Sequence, residues 1–268
     1  MNHRTHTILC LALAMPLHAA AQQATPAAPL PTSTWRMTSL NFGTGVETDH
    51  FETMSLPQLM AFAKTSQELE RDLSQFDEKV STTTSGLGLF VLAGFSRPKT
   101  VPATTNTTTE VQVGVGLHTP REAMVTYRNQ DMDTSIVYCN LQTEISLETA
   151  YLLRGQWSRY VQWHVGIGAN GGLTMGNKMM LIEGRYLADD EHPSEQRAEE
   201  MNKHTYGAKQ VYYTRLFIPT GVKFRIGPRW QLGMDYRLGI GWQFVPDGAT
   251  NRIQTTGAGI IGAKYSFN

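Results

Sequence analysis

From Trp230 to Phe244 every even position is apolar or aromatic: Trp230, Leu232, Met234, Tyr236, Leu238, Ile240, Trp242 and Phe244. The odd positions beside them are Arg229, Gln231, Gly233, Asp235, Arg237, Gly239, Gly241 and Gln243. A strand turns successive side chains to opposite faces, so this segment has one oily face and one that is polar or empty; a helix, with its period of 3.6, cannot sort residues that way. The same alternation runs from Ile136 to Leu153 and from Trp157 to Leu173. Less regular copies lie at Trp35–Val46, Ser85–Phe95, Glu110–Tyr127, Lys209–Ile226 and Thr255–Phe267, which brings the expected number of strands to eight.

The connections arrange these strands. Arg154-Gly155-Gln156 and Gly227-Pro228-Arg229 read as tight turns that make their flanking strands antiparallel neighbours. The alternate connections, Gly43–Thr84, Asn129–Ser135, Gly176–Ala208 and Pro246–Arg252, are generally longer. Short turns at one end and larger loops at the other are the rhythm of a transmembrane barrel; Arg97–Thr109 is the one connection too long for its end. The expected fold is all-β, a single antiparallel transmembrane barrel of about eight strands. Trp230 and Trp242 would stand ~28 Å apart on a strand tilted by ~45°, roughly the height of a lipid-facing band. Trp35, Trp157, Trp230, Tyr265 and Phe267 are expected in the belt at one membrane interface, and Trp242 and Phe244 in the belt at the other. In a soluble β-sandwich the outward face would have to be the polar one.

Residues 1–21 read as a signal peptide: Asn2, His3 and Arg4, an apolar run from Ile8 to Leu17, then Ala19-Ala20-Ala21. Residues 22–34 form a Pro/Ala/Thr-rich leader, and 35–268 the barrel. After the signal no apolar run reaches the length of a membrane-crossing helix. Charge is balanced, 23 basic against 23 acidic residues, without the basic footprint that nucleic-acid binding requires. Cys10 leaves with the signal, and Cys139 alone makes no internal disulfide.

The strand count, the loop rhythm and the carboxy-terminal Ile260-Ile261-Gly262-Ala263-Lys264-Tyr265-Ser266-Phe267-Asn268 resemble small outer-membrane β-barrels of the OmpA-like and OmpX-like kind and the Bacteroidota-type outer-membrane β-barrel family. The aromatic is commonly the last residue there, whereas here Asn268 follows it. The resemblance covers 35–268. It implies a Gram-negative outer membrane, lipid as the surrounding partner, and a carboxy-terminal strand read by the barrel assembly machinery. It implies no particular activity.

With the apolar face outward, the lumen receives Glu110, Gln112, His118, Glu144, Glu148, Gln162, His164, Arg215, Lys223, Arg225, Asp235, Arg237 and Lys264. An eight-stranded interior is only wide enough for side chains, so a network including Glu144, Glu148, Lys223, Asp235, Arg237 and Lys264 is expected to plug it. Lys223 and Asp235 should be diagonal neighbours, with Gly221 and Gly233 leaving them room. A narrow pore would need a gap in the network or more strands, as when Glu110–Tyr127 divides at Pro120. His118 and His164 among Ser146, Ser158, Glu144 and Glu148 are residue types of a hydrolytic triad, but no nucleophile elbow accompanies them and no catalytic residue is assigned. Asp49-His50-Phe51-Glu52 and Asp189-Asp190-Glu191-His192 read as solvated runs rather than metal sites, and no cofactor motif is present.

Within the first long loop, Leu59, Phe62, Ala63, Leu69, Leu73, Phe76 and Val80 recur at three- and four-residue steps. This predicts a helical segment over 55–80: a short helix ending near Lys64, then one over Gln67–Lys79 behind a Thr65/Glu68 capping box. Its apolar stripe would cap the barrel mouth or lie on the lipid interface, or else dock a protein partner. The acidic stretch Ala188–His204 reads as a mobile loop or a short exposed helix. Asn106-Thr107-Thr108 is an accidental glycosylation match. The function expected is an interaction scaffold displaying its loops, with a small or gated channel as the alternative and a hydrolase behind both.

Overall fold

The computed structural model describes residues 34–50, 55–81, 83–97, 107–129, 134–188, 196–246 and 252–267. The expected signal peptide, nearly all of the leader, Asn106, Phe51 and Glu52, and the 189–192 run lie outside the described residues. Among the described residues there are ten strands: β1 (Arg36–His50), β2 (Phe76–Ser81), β3 (Thr83–Ser96), β4 (Thr107–Asn129), β5 (Thr134–Gln156), β6 (Val161–Ala188), β7 (Gln196–Gly207), β8 (Tyr212–Arg225), β9 (Trp230–Phe244) and β10 (Arg252–Ser266).

Antiparallel pairing runs β1, β3, β4, β5, β6, β8, β9, β10 and back to β1, a closed ring of eight. The other two strands lengthen the wall. Leu173 pairs with Tyr212 and Lys178 with Gly207 on one unbroken register, so β7 and β8 are halves of a single wall strand interrupted at 208–211. β2 likewise continues β3 along β4, with the register shifted by one residue between them. The barrel is therefore lopsided, with five wall strands rising beyond the ring as a sheet of order β2-β4-β5-β6-β7 while β1, β9 and β10 stop short.

Two bulges mark where the tall wall leaves the ring. On β4 the register shifts between His118 and Arg121, around Pro120, which has no amide to offer a ladder. On β6 it shifts between Met175 and Lys178, at Gly176, whose φ of 63° is left-handed. Pro120 thus bends one strand and does not divide it. A Cβ at Gly176 would meet nothing within 4 Å, so only backbone strain opposes substitution. Gly176→Val should cost about 1–2 kcal/mol and Gly176→Asn much less, read from the urea midpoint of the folded barrel.

Several expectations are corrected. Helix α1 is only Leu56–Met60, with Ser55 and Gln58 as its capping box; Gln67–Leu69 is one 3₁₀ turn and β2 follows, so no helix spans Gln67–Lys79. Leu59, Phe62, Ala63 and Leu69 are buried all the same, and Leu73 and Phe76 partly so, because a folded loop on a sheet needs one oily side whether or not it is helical. β1 continues to His50, past the expected start of the loop at Gly43. The described part of the acidic stretch is strand: β6 reaches Ala188, and β7, over Gln196–Gly207, pairs antiparallel with it. Arg154-Gly155-Gln156 belongs to β5, and the turn is 157–160. Gly155 is there for close approach, since a Cβ would collide with the Trp163 ring.

The outward face of the ring is apolar: Leu147 is 71% and Ile167 68% exposed, and β9 exposes all eight of its even-numbered side chains. The inward face carries the buried polar residues. This inside-out arrangement is that of a transmembrane barrel, and among the described residues no helix is long and apolar enough to cross a membrane.

Candidate functional site: a closed lumen under a covered mouth

The floor of the lumen, at the end bearing the tight turns, is built around Glu110. Its carboxylate takes an ion pair from Arg154, a second from Lys264 at 3.0 Å, and a hydrogen bond from the Gln112 amide at 2.9 Å. Beside it, Lys223 donates to Asn41 Oδ1 at 3.3 Å and stands 4.0 Å from Asp235, which also holds His164 Nε2 at 3.3 Å. The diagonal placement follows from the register, in which Lys223 faces Gly233 and Asp235 faces Gly221. A Cβ at Gly233 would press on Lys223, and one at Gly221 on Asp235 and His164.

Arg237 crosses the middle of the lumen to Glu148 at 2.8 Å, with its guanidinium 4.8 Å from the Phe90 ring and 4.9 Å from Phe217. Above it, the fully buried Arg215 donates to Glu144 at 2.8 Å, reaches Glu47 at 3.8 Å and lies over Tyr213. Glu47 also holds His118 Nδ1 at 2.7 Å. Five cations therefore meet five anions across the described lumen. Between Asn41, Lys223, Asp235, Arg237 and Lys264 a cavity of about 20 Å³ remains, room for about one water.

All six residues expected in the lumen network lie inside. Arg225 does not; it is exposed at the strand end. Glu47 and Arg154 also line the lumen, although the sequence pattern puts them in a loop and in a turn. The alternation that turns Phe42, Thr44 and Val46 outward, carried one step further, would have placed Glu47 inward. The histidines and serines do not combine as a triad. His118 is held by Glu47; Ser146 Oγ donates to the Gly116 carbonyl at 3.4 Å; Ser158 Oγ accepts the amides of Tyr160 and Val161 in the exposed 157–160 turn.

The mouth is covered by the segment running from Ser55 to Ser74. Leu59, Phe62, Ala63 and Leu69 are buried against the inner side of the tall wall, on Val125, Tyr127, Ile136, Tyr138, Met179 and Leu181, and against Val211 and Val245 at the ring's rim. Polar ties hold it down: Lys209 N donates to the Phe62 carbonyl at 2.7 Å, Tyr138 Oη to the Leu69 carbonyl at 3.2 Å, and Arg71 to Glu183 at 2.5 Å. The hydrogen bond to Glu183 raises the Arg71 pKa, and burial pushes the Tyr127 phenol up to about 12. The bulges explain why one wall lines a polar lumen and an oily cap. β4 turns Glu110, Gln112 and His118 inward below Pro120, and Ala123, Val125 and Tyr127 inward above it.

Of the expected belt residues, Trp35, Trp157, Trp230, Tyr265 and Phe267 stand at the turn end, where Trp230 packs edge-on against Tyr265 and Tyr265 against Phe267. Trp242 and Phe244 stand at the other end, with Tyr212 stacked on Phe244 at 5.4 Å, a partner not expected from the sequence.

No protein-family model matches the chain, and no curated protein matches it. Among solved structures it is similar to the outer membrane protein OprG from Pseudomonas aeruginosa, at 13% identity over 87% of this chain and 97% of that one, with a TM-score of 0.36. It is also similar to Ail, the attachment invasion locus protein of Yersinia pestis, at 9% identity over 87% and 100%, TM-score 0.34. Neisserial surface protein A follows at 10% identity over 85% and 97%, TM-score 0.32. Assignment as an outer-membrane type of barrel rests on the closed ring, its apolar outer face and its ionic interior.

Proposed function

We propose that the protein is a sealed outer-membrane anchor of the small OmpA-like or OmpX-like size class, whose ring holds the tall wall and its lid at the cell surface for contact with a partner or the surroundings. The observation that carries this reading is the double closure: a charge-matched network fills the ring, and an apolar lid covers its mouth. Lipid surrounds the apolar band, and β10, which closes the ring against β1, is the strand the assembly machinery would read. The lid's apolar stripe is turned inward, so a partner at 55–80 would meet Glu68, Glu70 and Asp72 on the exposed side. The reading contains no catalytic step.

Planar-bilayer conductance of the refolded chain tests it, with heat-modifiable gel mobility as the control for folding. A folded and silent barrel is expected. Stable single-channel steps from the folded species would overturn the anchor and make the lumenal charges the lining of a channel.

A further inference from the structure

The charges that remain outside the lumen are segregated. No Asp or Glu occurs in 85–109, 149–182, 216–234 or 248–268, the stretches that supply most of the turn end of the barrel. That end carries five exposed arginines: Arg36, Arg97, Arg159, Arg225 and Arg229. Among the described residues none of them has a carboxylate partner. They come from β1, from the end of β3, from the 157–160 turn and from both sides of the β8–β9 turn, so they encircle the ring. Backbone bonds tie two of them to neighbouring strand ends: Arg225 N donates to the Tyr160 carbonyl at 2.8 Å, and Ser266 N to the Arg229 carbonyl at 2.8 Å.

Each of three arginines is set against an aromatic at the turn end, two of these aromatics being belt residues. Arg97 lies over Trp35 at 5.1 Å, Arg159 over Tyr160 at 4.6 Å, and Arg229 donates to Tyr265 Oη at 3.1 Å. Indole and phenol rings settle where hydrocarbon gives way to headgroups, so these guanidiniums stand at the depth of the lipid phosphates. A guanidinium presents paired donors in the geometry of a phosphate, and among the described residues no carboxylate competes for them.

We infer that this arginine collar binds the headgroups of anionic phospholipids, monoanionic phosphodiesters of the phosphatidylglycerol type, in the leaflet that meets the turn end. The inference rests on the membrane placement proposed above. A soluble acidic partner would satisfy the charge, but it gives no reason for the arginines to be interleaved with an interfacial aromatic belt.

The test is electron spin resonance of spin-labelled phosphatidylglycerol and phosphatidylcholine in phosphatidylcholine vesicles containing the refolded full chain, which measures lipid in the shell around the barrel whatever its orientation. Phosphatidylglycerol should be enriched over phosphatidylcholine, by about fivefold for each arginine engaged at low salt, and less as salt rises. The Arg97→Gln/Arg159→Gln/Arg229→Gln variant should lose most of the enrichment. The Lys178→Gln/Lys203→Gln variant, altered on the tall wall, should keep it. No enrichment in vesicles where heat-modifiable mobility shows a folded barrel would overturn the inference alone. Enrichment that survives the arginine variant or vanishes with the lysine one would also overturn it. A chain that never forms a heat-modifiable species in the bilayer would instead overturn the membrane placement.

Discussion

Arg215→Met is expected to destabilise the barrel by about 3–5 kcal/mol, because it leaves Glu144 and Glu47 in the lumen without the cation between them. Removing one member of a buried pair exposes the whole desolvation cost of the other, which the pair's own modest net stability does not suggest. Methionine keeps most of the volume, so the effect isolates charge. Adding Glu144→Gln and Glu47→Gln to the same chain should recover much of the loss, since a neutral amide costs far less to bury than a lone carboxylate. The measurement is the urea midpoint of tryptophan fluorescence in lipid vesicles, for wild type, single and triple variants. A single variant that unfolds like wild type would show the upper lumen to be well enough hydrated to screen both glutamates, against the sealed reading. Gly241→Leu bears on the same point, because a Cβ there would already press on the Arg215 side chain.

The ring was legible in the sequence because membrane barrels obey a strict rule: each strand must alternate to face lipid and lumen, and Trp230–Phe244 does so without an error. Most of the lumenal charges follow from the same rule, Arg225, exposed at its strand end, being the exception, while Glu47 and Arg154 lie where a loop and a turn are expected. What the sequence hid lies beyond the bulges. Pro120 and Gly176 each insert a residue that flips which parity faces inward, so the alternation of Glu110–Tyr127 breaks in a way that reads as weak patterning rather than as one long strand. The lid misled for a different reason. Spacings of three and four residues are shared by an amphipathic helix and by an irregular segment laid on a sheet; Leu69 and Leu73 belong to the second kind, and Phe76 already opens strand β2. The acidic stretch Ala188–His204 reads as a mobile loop or a short exposed helix because charge there is high; yet β7 is an edge strand of the described sheet, and edge strands commonly carry charge that keeps other chains from pairing with them.

The lid gives the second large effect. Leu59 and Leu69 are both fully buried between the 55–74 segment and the tall wall, and neither takes part in the ring. Leu59→Ala/Leu69→Ala should weaken the lid's docking by several kcal/mol, at about 2–5 kcal/mol for each buried leucine removed, with little effect on the ring's own hydrogen bonding. Lid and ring then separate experimentally. Trypsin cutting after Lys64 and Arg71 should rise steeply in the double variant, while heat-modifiable mobility stays that of a folded barrel. Lys64 is exposed in the docked lid and Arg71 is held by Glu183, so cleavage reports opening of the backbone rather than simple access to the side chain. Arg71→Gln alone should give a smaller increase, since a half-exposed ion pair contributes at most about 1 kcal/mol. If the double variant is cut no faster than wild type, the segment is held by its backbone bonds to Lys209 and Gly207 and not by its apolar side. If it is cut faster and the bilayer stays silent, the ionic network alone seals the ring and the lid serves the surface. Conductance that appears only once the lid is loosened would make the lid a gate.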